Sequence, residues 1–77
     1  MHIRIIHPMA DTISVINGFG AYAGENTSEI AFFCDGKFVV EPIEPFAKYH
    51  DGSTEDSAVY PWVPNDLIQA FLAENGA

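Results

Sequence analysis

Hydrophobic and polar positions alternate in short runs through most of the chain and change to helical spacing only near its end. Ile3 and Ile5 alternate with His2 and Arg4 before Pro8 breaks the run, which predicts a strand over residues 2–7. Thr12 to Ile16 reads TISVI, β-branched at four of five positions, and so disfavours helix. Asn17-Gly18 follows, a strong signal for a two-residue hairpin turn. Such a turn would pair Ile16 with Phe19 and Ile13 with Tyr22, although Gly18, Gly20 and Gly24 weaken the return strand. A short helix from Met9 to Asn17, ended by Gly18, is the competing reading.

The stretch SEIAFFCDGKFVVEPIEPF, Ser28 to Phe46, is the best-defined element. Asp35-Gly36 is a second turn signal. Placed at the tip, it pairs Cys34 with Lys37, Phe33 with Phe38, Phe32 with Val39, Ala31 with Val40 and Ile30 with Glu41. Alternation then puts Phe33, Phe38, Ala31 and Val40 on one face and Phe32, Val39, Cys34 and Ile30 on the other. A small antiparallel ribbon usually turns one polar face to water, so a ribbon apolar on both faces requires two covers. Pro42 and Pro45 end it, since proline donates nothing to a ladder.

Residues 50–57, HDGSTEDS, read as a polar surface loop, and Ala58 to Val63 as an irregular edge strand interrupted by Pro61. Asn65 is placed as a helix N-cap with Asp66 suited to the helix dipole. Leu67, Ile68, Phe71 and Leu72 fall on one face of an amphipathic helix, and Asn75-Gly76 is its stop. About nine residues of helix do not persist alone and must dock on a sheet. The expected fold is therefore α+β in a single domain, 1–77: an antiparallel sheet of four or five strands with a central hairpin over 28–43. One C-terminal helix, about 65–74, packs on one of its faces.

Composition supports a folded core, because 48% of the 77 residues are hydrophobic and 18% charged. Charge changes the picture more. Three basic residues face eleven acids for a net charge of -8, of which -6 lies in residues 35–77. Direct binding to nucleic acid or to an anionic membrane needs a basic footprint, so neither is expected. Cys34 is alone, so no disulfide framework forms and a reducing compartment, the cytoplasm, is expected. The short Ile5-Ile6 run is too brief for a signal peptide or a membrane span. The Asn26-Thr27-Ser28 sequon has no role without secretion.

No catalytic or metal motif emerges. Cys34 stands beside Asp35 in an acidic chain, which works against the lowered thiol pKa a nucleophile needs. His2 and His7 are five apart, and with His50, Asp51 and Cys34 they lack the tight pairs of a zinc site. GFGAYAG, Gly18 to Gly24, misses the spacing of a phosphate-cradling loop. Glu41 with Glu44 and Glu55 with Asp56 are paired carboxylates, but acid catalysis needs them in a cleft. The chain is accordingly expected to be no enzyme and to carry no cofactor or metal.

Surface recognition remains. Tyr49, Tyr60 and Trp62 flank the acidic loop and are residue types favoured as interface anchors, while Trp62, between Pro61 and Pro64, equally suits a core plug under the helix. Glu41, Glu44, Asp51, Glu55, Asp56, Tyr49 and Trp62 form the candidate binding set for a protein partner. In size, acidity and lack of a catalytic motif the chain resembles the phage-encoded inhibitors of host nucleic-acid machinery, among them the anti-CRISPR proteins. The resemblance covers composition and length and carries over no functional residue. It implies a non-catalytic protein, in the host cytoplasm if phage-encoded, that docks on a basic surface of a larger protein with carboxylates in sites meant for phosphates. As a monomer or weak homodimer it would act as an inhibitor. The alternative is a small homo-oligomeric structural or assembly protein that uses an apolar ribbon face or edge.

Overall fold

The computed structural model describes residues 1–18, 21, 23–51 and 58–77. Five strands form one antiparallel sheet: β1 (His2–Arg4), β2 (Thr12–Ile16), β3 (Thr27–Cys34), β4 (Lys37–Phe38) and β5 (Val59–Pro64). A single 3-10 turn at Ala47–Tyr49 precedes β5, and helix α1 (Asn65–Asn75) follows it. The eight-residue β3 is the spine. β2 pairs along one side of it, with β1 beyond, while its other side is shared between β4 near the tip and β5 near the start.

The hairpin turns at Asp35-Gly36, whose φ angles of 52° and 78° are the two left-handed positions of a type I′ turn. Cys34 pairs with Lys37 and Phe33 with Phe38, and the N–H of Val39 donates to the carbonyl of Phe32 at 2.9 Å. The ribbon then stops short of the expected pairs. Val59 occupies the place opposite Ala31 that Val40 was expected to fill, and Tyr60 the place of Glu41 opposite Ile30. The reason is burial: leaving the ladder lets residues 39–46 cross the sheet and place Ile43 and Phe46 in the core, and Pro42 has no N–H to forfeit.

Strand β2 forms where the β-branched run predicts it, which removes the helical reading of residues 9–17. Its partners differ from the expected local hairpin. Ile13 pairs with Ile3 on one side and Phe32 on the other, and Ile16 pairs with Glu29. Longer apolar strands thus outcompete the glycine-rich segment after Asn17-Gly18, and the expected partners Phe19 and Tyr22 lie outside the described residues. β1 is also shorter than expected, with Ile5 instead making a bridge to Gly76.

Helix α1 spans its predicted range with one correction. Asn65 is the first helical residue and not the cap; its Oδ1 accepts a hydrogen bond from the buried Ser28 hydroxyl at 2.6 Å. That hydroxyl in turn lies 3.2 Å from Asn17 Nδ2, which also donates to the Thr27 carbonyl at 2.6 Å. This network ties the end of β2, the start of β3 and the helix together at one buried polar point.

The core lies between one sheet face and a second layer made of α1 and the 39–46 crossover. Ile13, Ile30, Phe32, Tyr60 and Val63 point into it from the sheet, and Ile43, Phe46, Ile68 and Phe71 from the covering layer. Phe32 meets Phe46, Tyr60 and Phe71 with ring centroids 5.9, 5.7 and 5.7 Å apart, the last two edge-on, as aromatic quadrupoles favour.

Candidate protein-docking site

The two sides of the sheet differ, and the candidate residues divide between them. Along the covering layer, inward Val39, Ile43 and Phe46 alternate with outward Glu41 and Glu44, both exposed. Asp51 is exposed just after the 3-10 turn, and its N–H bonds the carbonyl of Val59 at 3.0 Å. On α1, Asp66 and Glu74 are exposed while Ile68 and Phe71 face the core. The crossover, the segment after it and α1 thus carry five exposed carboxylates. Glu55 and Asp56 of the candidate set lie outside the described residues.

The aromatic candidates part company. Tyr49 is half-buried and packs on the core, with Lys48 Nζ 5.2 Å from its ring centre. Tyr60, expected near an interface, is buried completely; its hydroxyl accepts the N–H of Ile43 at 3.0 Å, and burial pushes the phenol above its ordinary 10.0. Trp62 is 54% exposed and is no core plug. It stands in a β-bulge, where Pro61 and Trp62 together oppose Glu29, and its φ of 50° is left-handed.

On the uncovered side, strand register defines three rows across the sheet. Arg4, Thr12, Phe33 and Phe38 form the first, and His2, Ser14, Ala31 and Val59 the second. Ile16, Glu29 and the Pro61-Trp62 bulge form the third. Phe33 is sandwiched between His2 at 5.7 Å and Phe38 at 4.5 Å. Ile16, Phe38 and Trp62 are exposed by 43%, 56% and 54%, with Val40 at the margin. Among the described residues, no helix or strand lies over this face. Of the two apolar ribbon faces, the Phe33-Phe38 face is the one over which no described helix or strand lies, and the alternation of β3 already separated it from Phe32.

The structure therefore divides the candidate set: Glu41 lines the same hairpin-tip depression as Phe38 of the exposed apolar face, while Glu44 and Asp51 are exposed farther along the crossover and the segment after it. Glu44 stands on the crossover that buries Ile43 and Phe46, while Trp62 belongs with Ile16 and Glu29. Sequence reasoning missed Asp66 and Glu74 as companions of Glu41 and Glu44, although the helical period that turns Ile68 and Phe71 inward turns them outward.

At the hairpin tip, Met9, Cys34, Lys37, Phe38, Val39 and Glu41 line an open depression of about 460 Å³. Cys34 is exposed there. Among the described residues no group of three or more His, Cys, Asp or Glu side chains stands close enough to hold a metal ion, and no helix is long and apolar enough to cross a membrane. No family model matches the chain, and neither a curated protein nor a solved structure matches it.

Proposed function

We propose that the protein is a non-catalytic binding protein that docks through its acidic layer on a basic surface of a larger protein and inhibits nucleic-acid-binding machinery, as the phage-encoded inhibitors it resembles do. The observation that carries this reading is the exposure of Glu41, Glu44, Asp51, Asp66 and Glu74 along the crossover, the segment after it and α1, in a chain with three basic residues in all. Carboxylates spaced over such a surface offer arginine and lysine the same acceptor chemistry as phosphate oxygens. Their summed field steers a basic partner toward this side and not toward the sheet.

The test is competition: a panel of basic DNA- and RNA-binding proteins is titrated with the protein, and displacement of nucleic acid is followed at low and high salt. Displacement from at least one member is expected, weakening steeply with salt and lost in the double variants E41K/E44K and D66K/E74K. Displacement indifferent to both salt and charge reversal, or none from any member, would sink the reading.

A further inference from the structure

We propose that Asn17-Gly18 is a self-modifying site, at which the folded protein deamidates spontaneously and so releases the polar network that ties β2, β3 and α1 together. The inference is independent of the docking reading, since it uses none of the exposed carboxylates of the crossover and α1.

The chemistry needs only this chain and water. The backbone nitrogen of Gly18 gives up its proton and attacks Cγ of the Asn17 side chain. A new C–N bond closes a succinimide ring, and the bond from Cγ to Nδ2 breaks as ammonia leaves with that proton. Water then opens the ring at either carbonyl, giving aspartate or isoaspartate. Glycine admits the ring most readily, because no Cβ stands beside the attacking nitrogen.

Two Asn-Gly pairs occur in the chain, and the structure separates them. Asn17 and Gly18 are both exposed, just past the end of β2. No described backbone carbonyl accepts the Gly18 N–H, and at its φ of 109° an atom built at the Cβ position meets nothing within 4 Å, so the ring has room. Asn75 and Gly76 stand at the end of α1. There the Gly76 N–H is held by the Leu72 carbonyl at 2.8 Å and Asn75 Nδ2 by the Phe71 carbonyl at 3.0 Å. An atom at the Gly76 Cβ position would lie 2.7 Å from the same Leu72 oxygen. Both Asn side chains are hydrogen-bonded, but only at Gly76 is the attacking nitrogen withheld as well, until the helix end opens.

The product cannot keep the network. Asn17 Nδ2 donates to the Thr27 carbonyl at 2.6 Å and to Oγ of the buried Ser28 at 3.2 Å, and that hydroxyl donates to Asn65 Oδ1 at 2.6 Å. An aspartate has no donor for the Thr27 carbonyl and sets a charged oxygen against it. Ser28 has one hydroxyl proton, so it serves either the new carboxylate or Asn65, and the other acceptor loses its donor. The Asn65 N–H keeps its bond to the Asn26 carbonyl at 3.0 Å, so the start of α1 loosens and the fold remains.

Ageing the folded protein near neutral pH and mapping its peptides by mass spectrometry tests the site. Asn17 is expected to convert roughly ten times faster than Asn75 or more, since the helix end must open before its ring can close, and hydroxylamine should cleave the chain after Asn17 where the succinimide is caught. In concentrated urea the two rates converge, both pairs then being Asn-Gly in an open chain. Asn75 converting as fast as Asn17 in the folded protein, or an equal preference for Asn17 in urea, overturns the proposal. The network is read with N17D, and again with the aged form separated by its added charge. Hydrogen exchange at Asn65 rises roughly tenfold in both, while the Asp35-Gly36 hairpin exchanges as in the unsubstituted chain. Unchanged exchange at Asn65 overturns the release.

Discussion

Tyr60 shows how a single side chain can be read correctly for type and wrongly for place. Next to Trp62 and an acidic loop it has the profile of an interface residue, yet it is the pivot of the core. What decides its place is the bulge at Pro61-Trp62, which no local pattern announces, and the arrival of Ile43, whose N–H has no other ladder to join. Y60F should cost about 1–3 kcal/mol in denaturant unfolding, the penalty of leaving that buried N–H unpaired, although it changes no packing volume. Burial, the leading cause, and the nearby Glu44 charge raise the phenol above 10.0 against the opposing pull of the Ile43 N–H. The folded state then keeps a proton that the unfolded state gives up, so stability is whole below pH 10.0 and declines as pH climbs from there toward the folded value. Ultraviolet titration should show one tyrosine ionising late and together with unfolding; simultaneous ionisation of all three in a folded protein would contradict this.

At the scale of elements, the parts legible in the sequence are those whose cause is local. The Asp35-Gly36 turn, the β-branched strand at Thr12–Ile16 and the amphipathic helix all stand where short-range chemistry puts them. The pairing of β5 with β3 in place of the far half of the hairpin was not legible, because it depends on where Ile43 and Phe46 find burial. Asp11 joins the two kinds of information: its Oδ2 accepts the N–H of Asp35 at 2.9 Å and its Oδ1 the Thr12 hydroxyl at 2.8 Å, clamping the turn from the neighbouring strand. The Asp35 N–H, then the Thr12 hydroxyl, holds this carboxyl below 3.8, so its contribution is present above that pH and fades as pH falls below it. Two glycines make a test of the elements. At Gly36 an added Cβ meets nothing within 4 Å, so G36A pays only for φ +78°, about 1–2 kcal/mol. At Gly76 the backbone is ordinary, φ -64°, but a Cβ would stand 2.7 Å from the Leu72 carbonyl oxygen. G76A must therefore shift the helix end, and hydrogen exchange at Ile6 and Ala77, which bond Asn75 and Arg4, should rise more than at the hairpin. In G36A the order reverses; matching exchange patterns in the two variants would refute the distinction.

For the whole molecule, composition and charge foretold a folded, acidic domain, but not that Glu44, Asp66 and Glu74 would be exposed on the covering layer while Glu29 stands among the apolar residues of the other sheet face. That separation follows from the direction of the 39–46 crossover, a tertiary choice. Crowding carboxylates on one layer carries a cost in self-repulsion. Added salt should raise the melting temperature near neutral pH, and E41K/E44K should raise it at low salt by a few degrees, about the effect of 0.5–1 kcal/mol in a domain of this size. A melting temperature that falls on both treatments would show those carboxylates to be stabilising partners and not a strained surface. The covering layer also sets valency: a copy that docks through Glu44, Asp66 and Glu74 would offer a basic partner one patch, so binding would be one to one and would gain no avidity from a second copy.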